Sequence, residues 1–272
     1  VVDDSHPLGP GIKFILQIVA ALIAVGHGVL IQAVANPLPW GDPYWGFGIM
    51  AVPITVIWIV AVTNSVNLID GLDGLADGVS TIAAMTMLII ALLMGSMEMA
   101  TLCAALAGGC LGFIPYNRNP AKIFMGDTGA TFLGYILATV SVTGLFKLYA
   151  IISFIVPFII LGFPIFDTTS AFLRRILKGQ NPMKPDRSHT HHKLIDMGMN
   201  QKQAVATLYM VAGVLGLCAV MIVTSGYVKV ILFIAALAGV AYTVARIARY
   251  EHPKPSVEAE AKEHPDREAN HE

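Results

Sequence analysis

Residues 64–78 read Asn-Ser-Val-Asn-Leu-Ile-Asp-Gly-Leu-Asp-Gly-Leu-Ala-Asp-Gly, and this polar stretch lies between two long apolar runs. Carboxylates at the edge of a hydrocarbon layer are costly, so their presence there favours a functional role. Asp70 and Asp73 are three residues apart, a spacing that would place them on one face of a helical turn. Two carboxylates with amide oxygens nearby suit a hard divalent cation such as Mg2+. The alternative is a polar loop whose Asp residues only cap helices.

The composition indicates a polytopic membrane protein. Hydrophobic residues make up 56% of the 272 residues and charged residues only 13%, which excludes an ordinary soluble globule. The net charge of −1 gives no indication of nucleic-acid binding. The cysteines, Cys103, Cys110 and Cys218, lie in apolar runs at spacings that fit neither a metal site nor a disulfide framework.

The pattern of apolar runs predicts an all-α fold, a polytopic transmembrane helical bundle of about eight helices within residues 1–250. Pro157 and Pro164 fall inside one of these runs and should kink it. The tail, residues 251–272, has almost no apolar content and is expected to be disordered on the cytoplasmic side. The predicted spans are 12–35, 47–62, 79–94, 100–114, 128–145, 151–172, 204–224 and 228–247.

The distribution of charge orients this bundle. Nearly all Lys and Arg residues fall in the loops on one side, and only Lys147 and Lys229 fall on the other. The positive-inside rule makes the first side cytoplasmic. The acidic stretch shares that side with Asp127 and the histidines of residues 189–192, so the sequence predicts an active site at the cytoplasmic face of the membrane.

Two further cytoplasmic segments contain candidate site residues. Asp127 lies between glycines at an expected helix start, where it would cap the helix or where free N–H groups would meet a phosphate. Residues 184–193 contain Arg187 and three histidines, for which polyanion binding is favoured because Arg forks onto phosphate and His moves protons near neutral pH. A zinc site and an inert surface loop remain alternatives. For Asp167, near the end of its span, helix cap and catalyst both remain open.

The sequence thus combines carboxylates that would bind Mg2+ with cationic side chains that would bind phosphates, both at the edge of the membrane. This combination indicates phosphoryl transfer between a soluble nucleotide and a lipid phosphate. At these residues the chain resembles the polyprenyl-phosphate N-acetylhexosamine-1-phosphate transferases of glycosyltransferase family 4. The matching motifs are NSVNLIDGLDGLA at residues 64–76 and FMGDTG at residues 124–129. DRSHTHHKL, residues 186–194, resembles the branch that acts on UDP-N-acetylglucosamine. The branch that transfers phospho-N-acetylmuramoyl-pentapeptide has three consecutive histidines, whereas Thr190 interrupts the run here.

The resemblance implies a reaction and a set of site residues. UDP-HexNAc and undecaprenyl phosphate would give undecaprenyl-diphospho-HexNAc and UMP, with Mg2+ or alternatively Mn2+ as the cofactor. Asp127 and Asn67 match the metal-binding positions, and Asp3, Asp4 and Asp70 match the catalytic carboxylates. The positions implied in substrate binding are Asn64, Asp73, Asn117, Phe124, Arg187, His189, His191 and His192.

The resemblance also implies the surroundings of the protein. Its partners would be UDP-HexNAc, undecaprenyl phosphate and the lipid bilayer of a bacterial plasma membrane, with no nucleic acid, and a homodimer remains open. The family usually has two or three helices before the motif that contains Asp3 and Asp4, so this sequence is expected to be N-terminally truncated. Two alternatives remain: the muramoyl-pentapeptide branch of the same family and, from another class, a membrane ion transporter.

Overall fold

The computed structural model describes residues 9–36, 40–42, 44–145, 152–179 and 189–251. Within these ranges the chain forms ten α-helices, one short hairpin, a 3-10 turn and a π-helical turn. The elements are α1 (Pro10–Gly26), β1 (Ala33–Ala35), β2 (Tyr44–Gly46), the 3-10 turn (Gly48–Met50), α2 (Ala51–Ile69), α3 (Leu75–Leu93), α4 (Met97–Asn117), α5 (Gly126–Val140), the π turn (Ser141–Leu145), α6 (Ile152–Ile160), α7 (Gly162–Leu177), α8 (Thr190–Asp196), α9 (Gln201–Val223) and α10 (Gly226–Glu251).

The predicted all-α membrane fold is confirmed. Five helical segments in the described ranges are long and apolar enough to cross a membrane, and α1 adds a shorter apolar helix. Their outward apolar side chains suit contact with hydrocarbon rather than water. The chain is therefore a multi-pass membrane protein. The five segments are Gly48–Ile69, Leu75–Leu93, Met97–Asn117, Gln201–Val223 and Gly226–Tyr250.

The prediction of one continuous helix over residues 12–35 is wrong beyond Gly26. The backbone N–H of His27 still donates to the last turn of α1, but Gly28 has φ +90°, a left-handed conformation that ends a helix. The chain then forms β1, which pairs antiparallel with β2 so that Val34 lies opposite Trp45. This hairpin joins the end of α1 to the beginning of α2, at the end of the bundle away from the acidic stretch.

The predicted span 151–172 is divided between α6 and α7 at Leu161, which has φ −93° and ψ 13°. Pro164 explains part of this break because it has no N–H to donate to the carbonyl of Ile160. Pro157 lies inside α6. The kink expected from the prolines is therefore present, and it is sharp enough to separate two helices.

The long helix α3 lies at the centre of the bundle. It packs against α4 and α9, while α2 packs against α1 and α5. Two glycines permit these close approaches. The phenol of Tyr209 in α9 occupies the space that a Cβ on Gly78 would need, and the backbone of Thr63 lies 2.7 Å from the place of a Cβ on Gly134. The helices thus approach at distances that only glycine allows.

Replacing Gly134 by Ala should destabilise the protein by about 1–3 kcal/mol, because the new methyl group would meet the backbone of Thr63 and force α2 and α5 apart. Gly108→Ala is the matched control, since a Cβ at Gly108 of α4 meets nothing within 4 Å. That change should be neutral or stabilising by about 0.5–1 kcal/mol through helix propensity. Thermal unfolding in detergent measures both, and equal behaviour of the two variants would contradict the close α2–α5 contact.

Candidate active site

The turn between α2 and α3, residues 70–74 and here named the acidic turn, carries two of the carboxylates singled out by the sequence. The backbone N–H of Asp70, the cap residue of α2, donates to the carbonyl of Asn67 at 3.2 Å. Gly74 has φ +79°, which favours glycine, and α3 begins at the next residue. Asp70 and Asp73 therefore lie in a non-helical turn rather than on the single helical turn that their spacing allows.

Two side chains from other helices hold the acidic turn. Asn117, the last residue of α4, is 3% exposed, and its Oδ1 accepts a hydrogen bond from the backbone N–H of Gly74 at 2.9 Å. Its Nδ2 donates to the carbonyl of Ile123 at 2.9 Å. The hydroxyl of Tyr209 donates to the carbonyl of Gly74. Both ends of the Asn117 amide thus bind backbone, and its contact with a substrate stays a prediction.

Asp73 joins the acidic turn to the segment that follows α4. Its Oδ2 accepts hydrogen bonds from Nδ2 of Asn119 at 2.9 Å and from the backbone N–H of Ala121 at 3.1 Å. Nδ2 of Asn119 also lies 2.6 Å from Oε1 of Gln201, at the start of α9. The segment is thereby fixed against two helices. A contact between Asp73 and a uracil ring stays a prediction.

Asp127 lies in the first turn of α5, as its flanking glycines predict. Its Oδ2 pairs with Nζ of Lys13 in α1 at 2.5 Å, and its Oδ1 is 3.4 Å from Nδ2 of Asn67 in α2. Three helices that are distant in sequence therefore converge on this carboxylate. The predicted pair of Asp127 and Asn67 is together in the structure, and Lys13 adds a positive charge to it.

The carboxylate of Asp70 lies close enough to Asp127 and Asp73 to be affected by their charges. Burial raises the pKa of Asp70 to about 6, and repulsion by Asp127 and Asp73 adds to the effect. A bound cation would relieve this repulsion, and the oxygens of Asp70, Asp127 and Asn67 are the kind of ligand that Mg2+ prefers. Among the described residues, no group of three or more His, Cys, Asp or Glu side chains is arranged to hold a metal ion. Binding of Mg2+ by Asp127 and Asn67 therefore stays a prediction.

A cavity of about 310 Å3 adjoins the pair of Lys13 and Asp127. Near it, Nδ2 of Asn64 lies 2.5 Å from Oε1 of Gln17, which links α1 to α2. The wall of the cavity has the ion pair at one part and is mostly apolar elsewhere, although Gln17 and three threonines also line it. The apolar part of the wall includes Leu16, Ala20, Phe132 and Tyr135.

Phe124 lies between the segment after α4 and the start of α5. Its side chain is 75% exposed, which leaves the ring accessible at the same end of the bundle. An exposed aromatic face suits stacking on a nucleobase, although an aromatic ring at a membrane edge also occurs without a ligand. The stacking assigned to Phe124 stays a prediction.

A buried carboxylate in α7 holds the helix that contains the histidines. Asp167 is 1% exposed, and its Oδ2 binds Nδ1 of His189 at 2.8 Å. Its Oδ1 accepts from the backbone N–H of Thr190 at 2.7 Å and from the Thr190 hydroxyl at 2.5 Å. Asp167 therefore fixes the first residues of α8. This explains the carboxylate whose role the sequence left open: it positions the histidines.

The histidines of α8 reach the acidic turn. His191 is 2% exposed, and its Nε2 lies 2.5 Å from the place that a Cβ on Gly71 would occupy, so only glycine fits there. The ring of His192 lies beside that of His191, with centroids 4.2 Å apart. Burial lowers the pKa of His191 to about 4, with the neighbouring His192 as the next cause. His191 is thus neutral at pH 7, and the zinc alternative gains no support from the described residues.

Some predicted site residues lie outside the described ranges: Asp3, Asp4 and Arg187, together with the tail after residue 251. Their assigned roles stay predictions.

Three contributors were not predicted from the sequence: Lys13, Asn119 and the positioning role of Asp167. Asp167 offered a signal, because a carboxylate that directly follows a largely apolar run, residues 151–166, needs a partner if it is buried. Lys13 and Asn119 offered none, since their partners lie far away in sequence and no periodic pattern marks them.

Comparison with known proteins now identifies the family. The family model described as glycosyl transferase family 4 matches residues 1–145 of this sequence. The chain belongs to glycosyl transferase family 4.

Similar members of this family include transferases from several bacteria. One is named a probable undecaprenyl-phosphate N-acetylglucosaminyl 1-phosphate transferase of Bacillus subtilis (strain 168), 41% identical over 82% of this chain and 62% of that protein. A decaprenyl-phosphate N-acetylglucosaminephosphotransferase of Mycolicibacterium smegmatis is 29% identical over 92% of this chain and 66% of that protein. A phospho-N-acetylmuramoyl-pentapeptide-transferase of Moorella thermoacetica is 36% identical over 65% of this chain and 52% of that protein. The chain thus spans between one half and two thirds of the length of these relatives.

Asp167→Asn should loosen α8, because the amide keeps the shape of the carboxylate but removes its charge and replaces an acceptor by a donor. Loss of a partner in such a buried, charge-assisted network costs roughly 2–4 kcal/mol. We expect faster hydrogen exchange at the Thr190 amide and at the amides that follow it. Asp196→Asn, at the exposed end of the same helix, is the control and should leave exchange unchanged. Unaltered protection of α8 in Asp167→Asn would show that Asp167 does not hold it.

Acidification should weaken the fold through His191. The folded chain keeps this ring neutral down to about pH 4, whereas an unfolded histidine binds a proton near pH 6.5. The resulting stability is complete above pH 6.5 and is lost progressively as the pH falls towards 4, with a loss of about 2 kcal/mol at pH 5. Thermal unfolding of the wild type and of His191→Gln at pH 7.5 and 5 measures this loss of stability. Between the two pH values, the melting temperature of the variant should fall less than that of the wild type. His27→Gln, at an exposed histidine, should follow the wild type.

Proposed function

We propose that this protein transfers N-acetylglucosamine 1-phosphate from UDP-N-acetylglucosamine to undecaprenyl phosphate and releases UMP. This would be the first membrane step in the synthesis of a cell-envelope polysaccharide. The observation that carries the proposal is the convergence of Asp70, Asn67, Lys13 and Asp127 at one end of a membrane bundle. The identity of 41% to a protein named as such a transferase supports the same substrates.

The cavity beside Lys13 suits the lipid substrate. A polyprenyl phosphate has one charged end and a long hydrocarbon chain. The cavity has Lys13 and Asp127 at one part, and its remaining wall is mostly apolar. In this proposal the lipid phosphate lies near the Lys13 ammonium, and the isoprenoid chain extends along Leu16 and Phe132 towards the bilayer.

The proposed cofactor is Mg2+, with Mn2+ as an alternative ion, held by Asp127 with Asn67 and Asp70. Such an ion would supply positive charge to neutralise the diphosphate of the nucleotide sugar. Asp3 and Asp4 would complete the constellation from outside the described residues.

The proposed reaction is a direct in-line displacement. An oxygen of the lipid phosphate forms a bond to the sugar-linked phosphorus, and the bond from that phosphorus to the bridging oxygen breaks, so that UMP leaves. An aspartate of the pair Asp3 and Asp4 would orient or deprotonate the attacking phosphate. Exposed Phe124 would stack on the uracil, and the histidines of α8 would face the nucleotide sugar, placed there by Asp167. A covalent phospho-sugar intermediate on an aspartate is the rival route, and trapping it would exclude the direct one.

The orientation is also part of the proposal. The Lys and Arg residues gather at the end of the bundle that contains the acidic turn, and the positive-inside rule assigns that end to the cytoplasm of a bacterium. UDP-sugars would then meet the lipid phosphate at the cytoplasmic face of the plasma membrane.

A second candidate is the muramoyl-pentapeptide transferase of the same family. Its support is the 36% identity to a protein of that name. Thr190 argues against it, since its hydroxyl and its backbone N–H both bind Asp167, so the interrupted histidine run is part of the local structure.

UMP release from defined substrates tests the proposal. The protein as the cell makes it, in detergent with Mg2+ and undecaprenyl phosphate, would receive UDP-N-acetylglucosamine, UDP-N-acetylgalactosamine or UDP-N-acetylmuramoyl-pentapeptide. We expect UMP from the first substrate, a loss of at least about 100-fold in Asp127→Asn, and loss with EDTA. Asp42→Asn, an exposed aspartate at the opposite end of the bundle, is the matched control and should retain activity. UMP from the pentapeptide substrate alone would favour the second candidate, and no UMP from any substrate with folded protein would overturn both.

A further inference from the structure

A crevice of about 650 Å3 opens between the end of α4 and the beginning of α9. The helix α3 packs against both α4 and α9 and holds them side by side. This crevice shares no lining residue with the cavity that contains Lys13 and Asp127. It is therefore distinct from that cavity, although its lining includes Asp73, to which the family resemblance assigns substrate binding.

Three cationic side chains line the crevice. Arg118 and Lys122 belong to the segment after α4, and Lys202 lies in the first turn of α9. All three are exposed, and none makes a side-chain hydrogen bond or ion pair with another residue in the described part of the chain. The carboxylate in the lining is Asp73, which already accepts hydrogen bonds from Asn119 and Ala121. Three positive charges thus face one negative charge, which favours an anionic occupant.

Apart from Asn119 and Tyr209, the rest of the lining is apolar, and part of it lies deeper in the bundle. Ile114 and Pro115 precede the end of α4 by less than one turn, and Val205 and Ala206 follow the start of α9 by about one turn. Both helices are long and apolar enough to span a membrane. The cations therefore lie at the depth of lipid headgroups, and the apolar wall lies at the edge of the hydrocarbon.

We propose that this crevice binds an anionic phospholipid of the surrounding leaflet. Its headgroup phosphate would lie among Arg118, Lys122 and Lys202, and the first part of one acyl chain would lie against Ile114 and Val205. Clusters of Lys and Arg at the membrane surface attract anionic lipids. A soluble phosphate would use the three cations but would leave the apolar wall uncovered, so the combination favours a lipid.

The occupant would touch the segment that holds the acidic turn. Asn119 lines the crevice and also binds Asp73, while its neighbour Asn117 binds Gly74. The lipid would thus stabilise residues 118–122. The proposal concerns binding alone and does not depend on the transferase activity.

A charge-neutralising triple variant tests the proposal. The full protein in nanodiscs would carry Arg118→Gln, Lys122→Gln and Lys202→Gln together. The matched control, Arg174→Gln with Lys178→Gln and Arg249→Gln, removes the same charge from other helix ends on the same side. Native mass spectrometry would measure the retention of phosphatidylglycerol against phosphatidylcholine, and thermal unfolding would verify that both variants fold.

We expect the wild type to retain phosphatidylglycerol preferentially, the crevice variant to bind it about 10-fold or more weakly, and the control to change by less than about 2-fold. Millimolar pyrophosphate should not displace the bound lipid. Equal losses in both triple variants would show a non-specific surface effect and overturn the proposal. Absence of lipid preference in the wild type would overturn it as well, and displacement by pyrophosphate would identify a site for soluble anions instead.

Discussion

The fold depends on holding several carboxylates at the edge of a hydrocarbon layer, where water is scarce and unpaired charge is expensive. Each of three aspartates meets this constraint through partners from elsewhere in the chain. Asp73 binds the segment after α4, Asp127 binds Lys13 of α1, and Asp167 binds the start of α8. At the polar end of the bundle, α1, the segment after α4 and the start of α8 therefore each supply a partner to an aspartate. These partners are distant in sequence, and the packing of the helices brings them next to the aspartates.

Asp70 differs from the other three carboxylates. Burial and the neighbouring carboxylates Asp127 and Asp73 raise the pKa of Asp70 to about 6, so the protein itself compensates its charge poorly. Functional sites are commonly places where the chain leaves a charge for a ligand to complete. Asp70 thus contrasts with Asp167, whose carboxylate is fully paired and positions the histidines of α8.

Much of this architecture was predictable from sequence, because long apolar runs have few alternatives to helices in a membrane. The acidic stretch, Asp127 at a helix start and the histidines were also predictable, since their residue types and motif order are specific. The hairpin of β1 and β2 was not, because Ala33–Ala35 continues an apolar run and only the backbone of Gly28 ends the helix before it. The pairs Lys13–Asp127 and Asp167–His189 were not predictable either, since tertiary packing alone brings them together.

The bonding of Thr190 gives the interrupted histidine run a chemical meaning. Asp167 uses one oxygen for both the hydroxyl and the N–H of Thr190, so residues 167 and 190 form a matched acceptor and donor pair. An imidazole at position 190 would have no hydroxyl to offer and would need more room beside a carboxylate that is almost fully buried. With a histidine at this position the backbone N–H could still bind an acidic side chain at position 167, but the hydroxyl hydrogen bond would be lost or replaced by a ring N–H. The identities at these two positions should change together across the family, so that each branch can be recognised from the pair rather than from the histidines alone.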